Sequence, residues 1–393
     1  MRYLLLAFVI FLGADAVASA PPLFSKEPFV PTQDNMVLER LPYVTDPAAR
    51  QLRLWREQRA RNPSDPALAV RLARKYIEQG RAELDPRYYG YAQATLAPWW
   101  DMPEPAADIL VLRAIIHQSN HNFDRALADL SLALKADPRH AQAWITRAMI
   151  LQTQGEYAEA KRHCMPLLRL STPLYATTCM ASVASFNGKA QQSYDLLRRS
   201  MDNSLNSTGR LWALTVLADI SIRTGQGRLA EAHLKEAFLL APRDRYLLGL
   251  YADFLMNEGR HAEVIPLLEN EVQIDGLLLR LALAKQAIGA PDLAARVEAL
   301  RERFAASRLR TDVRHRREEA TSALYLLNKP HEALELARAN WVTQKEPEDA
   351  RIFLASALAA NDPAAARPVL HWLTVTQLED VRLIPFANKI KAL

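Results

Sequence analysis

The chain has 393 residues, of which 50% are hydrophobic and 24% charged, and its formal net charge is +5. This composition is typical of a globular protein and excludes disorder of the whole chain. The positive charge is too small and too dispersed for a nucleic-acid-binding protein, so we expect no nucleic acid among the partners. Strong helix formers fill the sequence after residue 48 and no segment has the alternation of a strand, which predicts an all-α fold.

Residues 1–20, MRYLLLAFVIFLGADAVASA, have the pattern of a secretory signal peptide. Arg2 precedes a short apolar run, and small residues follow it. The run is too short for a hydrocarbon core that needs about 20 apolar residues. We therefore expect cleavage after Ala18 or Ala20, a periplasmic or secreted protein, and no stable membrane span once the signal is removed.

Two segments precede the regular part of the chain. Residues 21–47 contain several prolines and little helical periodicity, which predicts an extended lead segment. Residues 48–106 are interpreted as a degenerate helical repeat or cap. Within them, residues 88–100 hold a cluster of tyrosines and tryptophans. The cluster is either a packed cap or a ligand-facing patch for a glycan or small molecule.

A repeated pattern begins near residue 107. Ala148 in AWITRAMILQTQGEYAEA lies 34 residues after Ala114, and Ala252 lies 34 residues after Ala218. Each copy reads as two amphipathic helices, with a small residue in the first helix that permits close approach of the second. No pair can cover its apolar surface alone, so neighbouring pairs must stack.

The turns of these copies follow the same logic. Gly155, Gly225 and Gly259 stand where the first helix ends and a positive φ is required. Pro138 and Pro242 follow the second helix, which proline cannot continue. His121 occupies the corresponding position in the first copy, where glycine would be expected.

These residues closely resemble the tetratricopeptide-repeat (TPR) family, and in particular exported bacterial members of it. The resemblance covers roughly residues 107–300 of the predicted solenoid, residues 107–310, and is most specific in residues 143–160 and 211–242. It is weak at both ends of the chain, and residues 311–393 are interpreted as degenerate C-terminal repeats or a cap. It implies a right-handed alpha-alpha superhelix of antiparallel helix pairs. It also implies a concave groove, lined by the first helix of each pair, that holds a protein or peptide partner.

The groove positions of the family fall on a mixed set of aromatic, aliphatic and polar residues. Such residue types commonly anchor protein interfaces. The resemblance assigns to the partner-binding groove Ile145, Met149, Tyr175, Phe186, Trp212, Asp219, Arg223, Tyr246, Asp253, Met256 and Asn257.

The sequence contains no motif for catalysis or for a cofactor. It lacks the metalloprotease, hydrolase, nucleotide-binding and dithiol signatures. His117 and His121 have the spacing of two zinc ligands on one helix face, but no third ligand is evident, so a pair near a turn is expected instead. We therefore expect a non-catalytic protein without a cofactor or metal.

Cys164 and Cys179 are the two cysteines of the chain. They lie on either side of a predicted turn at residues 171–173, which would bring them to a similar height in a helical hairpin. In an exported chain this arrangement favours a disulfide. The alternative is two separately buried thiols that face different ways.

The function expected from these features is that of a scaffold or adaptor in the bacterial envelope, which binds a protein or peptide segment in its concave groove. One alternative is a glycan or small-molecule binder that uses residues 88–100. Others are an enzyme subunit that acts through the region after residue 310, and an accessory subunit of an envelope assembly, export or cytochrome-maturation system. The sequence identifies neither the partner nor the oligomeric state.

Overall fold

The computed structural model describes Val30, Pro31, Gln33, Met36, Val37 and residues 47–201, 207–310 and 314–393. The predicted signal peptide, residues 1–20, lies outside the described residues, as does most of the predicted lead segment. The chain divides into two units, residues 1–51 and residues 52–393. Every helix after the first lies in the second unit.

Within the described ranges the secondary structure is helical and contains no strand. None of these helices is both long enough and apolar enough to cross a membrane. Their bounds are α1 Pro47–Arg61, α2 Pro66–Glu83, α3 Arg87–Thr95, α4 Ala97–Trp100, α5 Ala107–Ser119, α6 Phe123–Ala136, α7 Ala141–Thr153, α8 Tyr157–Cys164, α9 Leu167–Leu170, α10 Pro173–Ser185, α11 Ala190–Met201, α12 Ser207–Arg223, α13 Gly227–Leu240, α14 Arg245–Asn257, α15 His261–Leu268, α16 Asp275–Ala287, α17 Leu293–Leu309, α18 Arg316–Tyr325, α19 Pro330–Trp341, α20 Pro347–Ala359, α21 Arg367–Thr376 and α22 Ile384–Lys391.

Small buried residues allow the helices of each pair to pack closely. Ala114, Ala148, Ala218 and Ala252, the residues at the centre of the sequence repeat, are fully buried. Larger side chains there would separate the two helices, because protein interiors are close-packed. The structure thus confirms the prediction of an all-α, right-handed superhelix of antiparallel helix pairs.

A left-handed residue separates the two helices of each pair over the whole length from α2 to α21. In the described residues the positive φ angles at these turns belong to Leu84, His121, Gly155, Gly188, Gly225, Gly259, Gly289, Asn328 and Asn361. Five of the nine are glycine, which adopts this conformation without steric cost. Paired helices therefore continue on both sides of residues 107–310.

His121 shows how a residue other than glycine fits such a turn. Its φ is 57°, and its ring stacks on Phe123 with the centroids 5.6 Å apart. Its Nδ1 lies 3.1 Å from Nε2 of Gln344. Contacts with a distant part of the chain therefore help to hold a conformation that a side chain with a Cβ adopts at some cost.

The helix α20 lies in the interior of the molecule. Nine of its thirteen residues are buried, and they cover all faces of the helix. Phe353 and Leu354 belong to a hydrophobic cluster that also contains Val183 of α10 and Tyr157 of α8. The C-terminal pairs therefore pack against the repeats of residues 141–201, far away in sequence.

Two extended segments attach the C-terminal region to the turns of earlier pairs. The backbone N–H of Lys345 donates to the Thr153 carbonyl at 2.8 Å, and that of Val381 donates to the Arg223 carbonyl at 2.9 Å. A Glu379 carboxylate oxygen accepts from the N–H of Ala190 at 2.7 Å. The C-terminal region therefore covers the groove at the turns after α7, α10 and α12. The part of the groove around Tyr246 stays exposed and is named its open end.

Candidate functional site

The inner faces of α10, α12 and α14 share one arrangement of residues. An aromatic residue near the start of each helix is followed seven positions later by a polar one, which places both on the same face. The pairs are Tyr175 and Ser182, Trp212 and Asp219, and Tyr246 and Asp253. The rings of Tyr175 and Trp212 contact each other across the helices, with their centroids 6.0 Å apart.

Tyr246 is the exposed member of this aromatic series. Its side chain lies on an inner helix, yet 58% of the residue surface is accessible to solvent. Partial desolvation by the neighbouring inner helices, followed by the charge of the Asp219 and Glu346 carboxylates, raises the pKa of Tyr246 above its usual range. The phenol therefore stays neutral. The solvent-accessible surface around this ring, on which the Asp219 and Glu346 carboxylates act electrostatically, is named the recess.

Asp219 and Glu346 border this recess and are partly exposed. Their side chains are 37% and 38% accessible. Asp219 accepts from Nε of Arg223 at 2.9 Å, and Glu346 accepts from Nη1 of Arg317 at 3.0 Å. Both carboxylates are thus held in place and keep part of their surface available to a ligand.

Arg223 and Phe186 do not line an open groove, contrary to the prediction. Arg223 is fully buried. Its guanidinium donates to the Ser185 carbonyl at 3.1 Å and to Oγ of Ser185 at 2.8 Å, and it lies 4.5 Å from the Phe186 ring centre. Phe186 stacks in turn on Tyr157. The Arg223 guanidinium also lies 3.4 Å from the Glu379 carbonyl, so the C-terminal region helps to enclose it.

The remaining predicted groove residues lie on the inner helices but are half-buried. The Asp253 carboxylate accepts from Nε and Nη2 of Arg280, at 2.8 and 2.6 Å. Asn257 accepts from Nη1 of Arg351 at 3.0 Å. Ile145, Met149 and Met256 pack at the edges of hydrophobic clusters. These five therefore shape the walls of the groove and offer less surface than Tyr246.

Residues of α18 and at the start of α20 also contribute, although no pattern in the sequence indicates them. Glu346, Asp349 and Arg317 form one charged group beside the recess, and Nη1 of Arg317 lies 3.3 Å from Oδ1 of Asp349. Burial raises the pKa of Asp349 to about 7. No local pattern identifies these residues, because they reach the recess only through the path of the C-terminal pairs.

The predicted disulfide between Cys164 and Cys179 is present. It joins α8 to α10, with the Cα atoms 5.7 Å apart, and both residues are fully buried. It therefore links two successive helix pairs within the cluster that also receives the C-terminal helices.

The aromatic segment of residues 88–100 is mainly a packed cap. Tyr88, Tyr89, Trp99 and Trp100 pack against the cluster formed by α2, α3 and α5. Nη1 of Arg113 donates to the Met102 carbonyl at 3.0 Å, which ties the end of the segment to α5. Tyr91 is the exception, since about half of its surface is exposed.

The two histidines considered as metal ligands have separate partners. His117 lies 3.9 Å from the Asp129 carboxylate, whereas His121 contacts Phe123 and Gln344. Burial lowers the pKa of each imidazole. In the part of the chain that the structure describes, no three His, Cys, Asp or Glu side chains are grouped as a metal site would require.

No protein-family model and no curated protein matches the sequence. Among solved structures, the APC/C hetero-tetramer Cut9-Hcn1 matches with a TM-score of 0.52 and 14% identity, over 88% of this chain and 66% of that chain. Yeast Tom70 matches over 88% of this chain and 92% of its own, with 11% identity and a TM-score of 0.31. The P58(IPK) TPR domain matches over 81% and 97%, with 16% identity and a TM-score of 0.24.

The match to Cut9-Hcn1 bears on the fold alone, because so low an identity carries no information about function. The TM-score of 0.52 over 88% of this chain shows a shared fold, which in this chain consists of helix pairs separated by left-handed turns. This chain therefore has the right-handed superhelical fold of the tetratricopeptide-repeat proteins.

Proposed function

We propose that this protein is a non-catalytic scaffold that binds a segment of another protein at the open end of its concave groove. The observation that carries the proposal is Tyr246, an aromatic residue that is mostly exposed although it lies on an inner helix. Tyrosine and tryptophan give a large contact area for a small loss of conformational entropy, which is why they anchor many interfaces.

The inner helices supply more than one anchor for such a segment. Tyr175 and Trp212 continue the line that begins at Tyr246, one ring on each successive helix. An extended peptide crossing α10, α12 and α14 would contact each ring in turn. Cut9-Hcn1 is a hetero-tetramer, so this fold is compatible with stable association between different chains.

We further propose that the protein acts in the bacterial envelope. The support is the signal-like pattern of residues 1–20 together with the Cys164–Cys179 disulfide, since such bonds persist in oxidising compartments. A role as an accessory subunit in envelope assembly, export or cytochrome maturation is one form that this proposal takes.

Site-specific photo-cross-linking tests the binding face. Benzoylphenylalanine in place of Tyr246 is expected to give adducts with a defined protein segment in the native host, which mass spectrometry then identifies. The same group in place of Leu239, an exposed residue of α13, serves as the matched control. A purified peptide of the captured segment should bind about tenfold more weakly to Tyr246→Ala. Identical adducts at both positions, or none at position 246, would contradict the proposal.

A glycan-binding role for residues 88–100 retains one supporting observation, the exposed ring of Tyr91. A single exposed ring offers little surface for a sugar, because its neighbours Tyr88 and Tyr76 pack against it on the protein side. A glycan array measures this alternative directly. Binding of a glycan by the wild-type protein that is lost in Trp99→Ala and Trp100→Ala variants would support it.

A further inference from the structure

The turns of successive helix pairs contact later parts of the chain. At the turn after α2, Nη1 of Arg245 donates to the Glu83 carbonyl at 3.2 Å. At the turn after α5, Nε2 of Gln344 lies 3.1 Å from Nδ1 of His121. The turns after α7, α10 and α12 are bonded to the C-terminal region. The superhelix therefore closes on itself at these five turns, which we name the closing interface.

The closing interface is firmly held at the turns after α7, α10 and α12. The backbone N–H groups of Lys345 and Val381 donate to carbonyls of the earlier pairs. Trp372 and Leu383 belong to the same hydrophobic cluster as Tyr157 of α8. Separating these surfaces would expose apolar area to water, which is unfavourable in proportion to that area. This part of the closing interface therefore stays shut in the folded protein.

The closing interface is polar at the turns after α2 and α5. The hydrophobic clusters that contain α2, α3, α5 and α6 include no residue beyond Ile150. Between described residues, the bond donated by Arg245 is the single hydrogen bond that joins residues 47–100 to any residue after 140. Segments with few buried apolar contacts open at a low cost in free energy. These two turns are thus the place where the interface can open.

The side chain of Arg245 is shared between two carboxylates. Its Nε donates to Oε2 of Glu271 at 2.8 Å, and its Nη1 lies 4.0 Å from Oε2 of Glu83. The side chains of Arg245 and Glu83 are 33% and 35% accessible, so water and salt weaken their attraction. If the contact with Glu83 breaks, Arg245 keeps Glu271 as its partner. Opening therefore leaves no guanidinium without a carboxylate.

We infer that the first two helix pairs form a gate, which is closed by the contacts of Glu83 with Arg245 and of His121 with Gln344. When the gate opens, the turns after α2 and α5 move away from α14 and from the segment before α20, while the other three turns stay attached. An open gate gives a partner segment lateral access to the start of α14, next to Tyr246. This last step rests on the proposed function, whereas the opening is a property of the chain alone.

Double electron–electron resonance measures the opening. Nitroxide labels are attached to Gln93→Cys in α3 and Asn270→Cys after α15, both at exposed positions. Cys164 and Cys179 do not react, because they are bonded to each other and fully buried. We expect one narrow distance distribution at low salt and a second, longer distance whose fraction grows as salt rises. The salt titration uses the labelled chain with both gate contacts intact.

Variants assign the opening to Arg245. Arg245→Ala is expected to raise the fraction of the longer distance about threefold at low salt, since loss of an exposed ion pair shifts an equilibrium by this order. Arg260→Ala is the matched control. The Arg260 side chain is also 33% accessible and pairs with Glu231 and Glu263, away from the gate. The control should leave the distribution unchanged.

The outcomes separate the gate from the proposed function. A distribution that neither salt nor Arg245→Ala changes would show that packing holds all five turns closed, and would overturn the gate without bearing on the scaffold role. An equal change in Arg260→Ala would also overturn it, because the loosening would then be general. Opening that depends on Arg245, together with no cross-linked partner at position 246, would support the gate and refute the proposed function.

Discussion

Gly155 and Gly259 occupy the same turn position in two helix pairs but have different surroundings. Their φ angles are +83° and +72°, so both lie in the left-handed region. A Cβ atom on Gly155 would lie 3.2 Å from Cδ of Lys345 and 3.4 Å from Nε1 of Trp372. A Cβ on Gly259 would meet no atom within 4 Å. Only the first turn is therefore in contact with the C-terminal region.

The two glycines form a matched pair of substitutions. Gly259→Ala is expected to lower the free energy of unfolding by about 1–2 kcal/mol, the cost of left-handed backbone for a residue with a Cβ. Gly155→Ala should lower it further, because Lys345 and Trp372 must also move. Urea unfolding of the two variants measures the difference. Equal losses would show that the C-terminal region does not press on the Gly155 turn.

Asp349 gives a prediction about pH. It is buried and accepts from Nδ2 of Asn340 at 2.8 Å and from the N–H of Glu346 at 2.9 Å. Burial raises its pKa from 3.8 to about 7. Between these values the folded state binds the proton more strongly than the unfolded state does. The contribution of this carboxyl to stability is therefore present at low pH and is lost as the pH rises from about 4 to 7.

The Asp349→Asn variant isolates this contribution. The difference in free energy of unfolding between wild type and variant should change by a few kcal/mol at most between pH 4 and pH 8. The wild type should become less stable relative to the variant as the pH rises. The buried histidines have lowered pKa values and contribute the opposite slope, but they do so in both proteins and cancel. A pH-independent difference would contradict the raised pKa.

At the scale of elements, the disulfide connects α8 and α10 across the break between two pairs. The second helix of the earlier pair is interrupted at Pro166, where proline removes a backbone donor, so that α8 and α9 are short. The covalent bond holds these short helices next to α10, where Cys179 lies. It thereby compensates for a weak part of the superhelix.

Loss of this bond should be measurable. A Cys164→Ala, Cys179→Ala variant is expected to be about 3 kcal/mol less stable, because a crosslink with a sequence separation of 15 residues restricts the unfolded chain. Guanidinium unfolding of wild type and variant without reductant gives the value. When reductant is present, so that the unfolded wild type has no disulfide, the free energies of unfolding of the two proteins should become similar. A difference that persists would show that the loss comes from packing instead.

At the scale of the whole molecule, the last residues join regions that are distant in sequence. Leu383 and Ile390 are buried in the cluster that contains Tyr157, Cys164 and Cys179. Val381 and Glu379 bind the turns after α12 and α10. The C-terminal segment therefore stabilises earlier repeats as well as its own pair.

Deletion of residues 377–393 tests this coupling. Loss of the buried Leu383 and Ile390 side chains alone should lower the free energy of unfolding by about 1.5–3 kcal/mol each. The melting temperature should therefore fall clearly. Hydrogen exchange should quicken at residues 186–190 and 223–226, where the segment is attached. Deletion of the exposed Ala392 and Leu393 is the control. Exchange that quickens only in α20 and α21 would show that the segment supports its own pair alone.

The helix pairs, their small central residues and their turns were determined by the sequence itself, because each depends on contacts within about 34 residues. Ala114 and Ala148 at the pair centres and the glycines at positive φ are examples. The sequence alone leaves two alternatives for Cys164 and Cys179, a disulfide or two separate thiols, because the rotation of each helix decides whether the two sulfur atoms meet.

The shape of the binding face was decided only by the tertiary structure. Arg223 is buried, and its guanidinium contacts the Glu379 carbonyl, 156 residues later in the chain. Glu346 comes to the recess of Tyr246 by the same path of the C-terminal pairs. A repeat pattern in the sequence specifies how neighbouring pairs stack. Which distant residues meet depends on the rotation accumulated over many pairs, and this cannot be predicted from any local pattern.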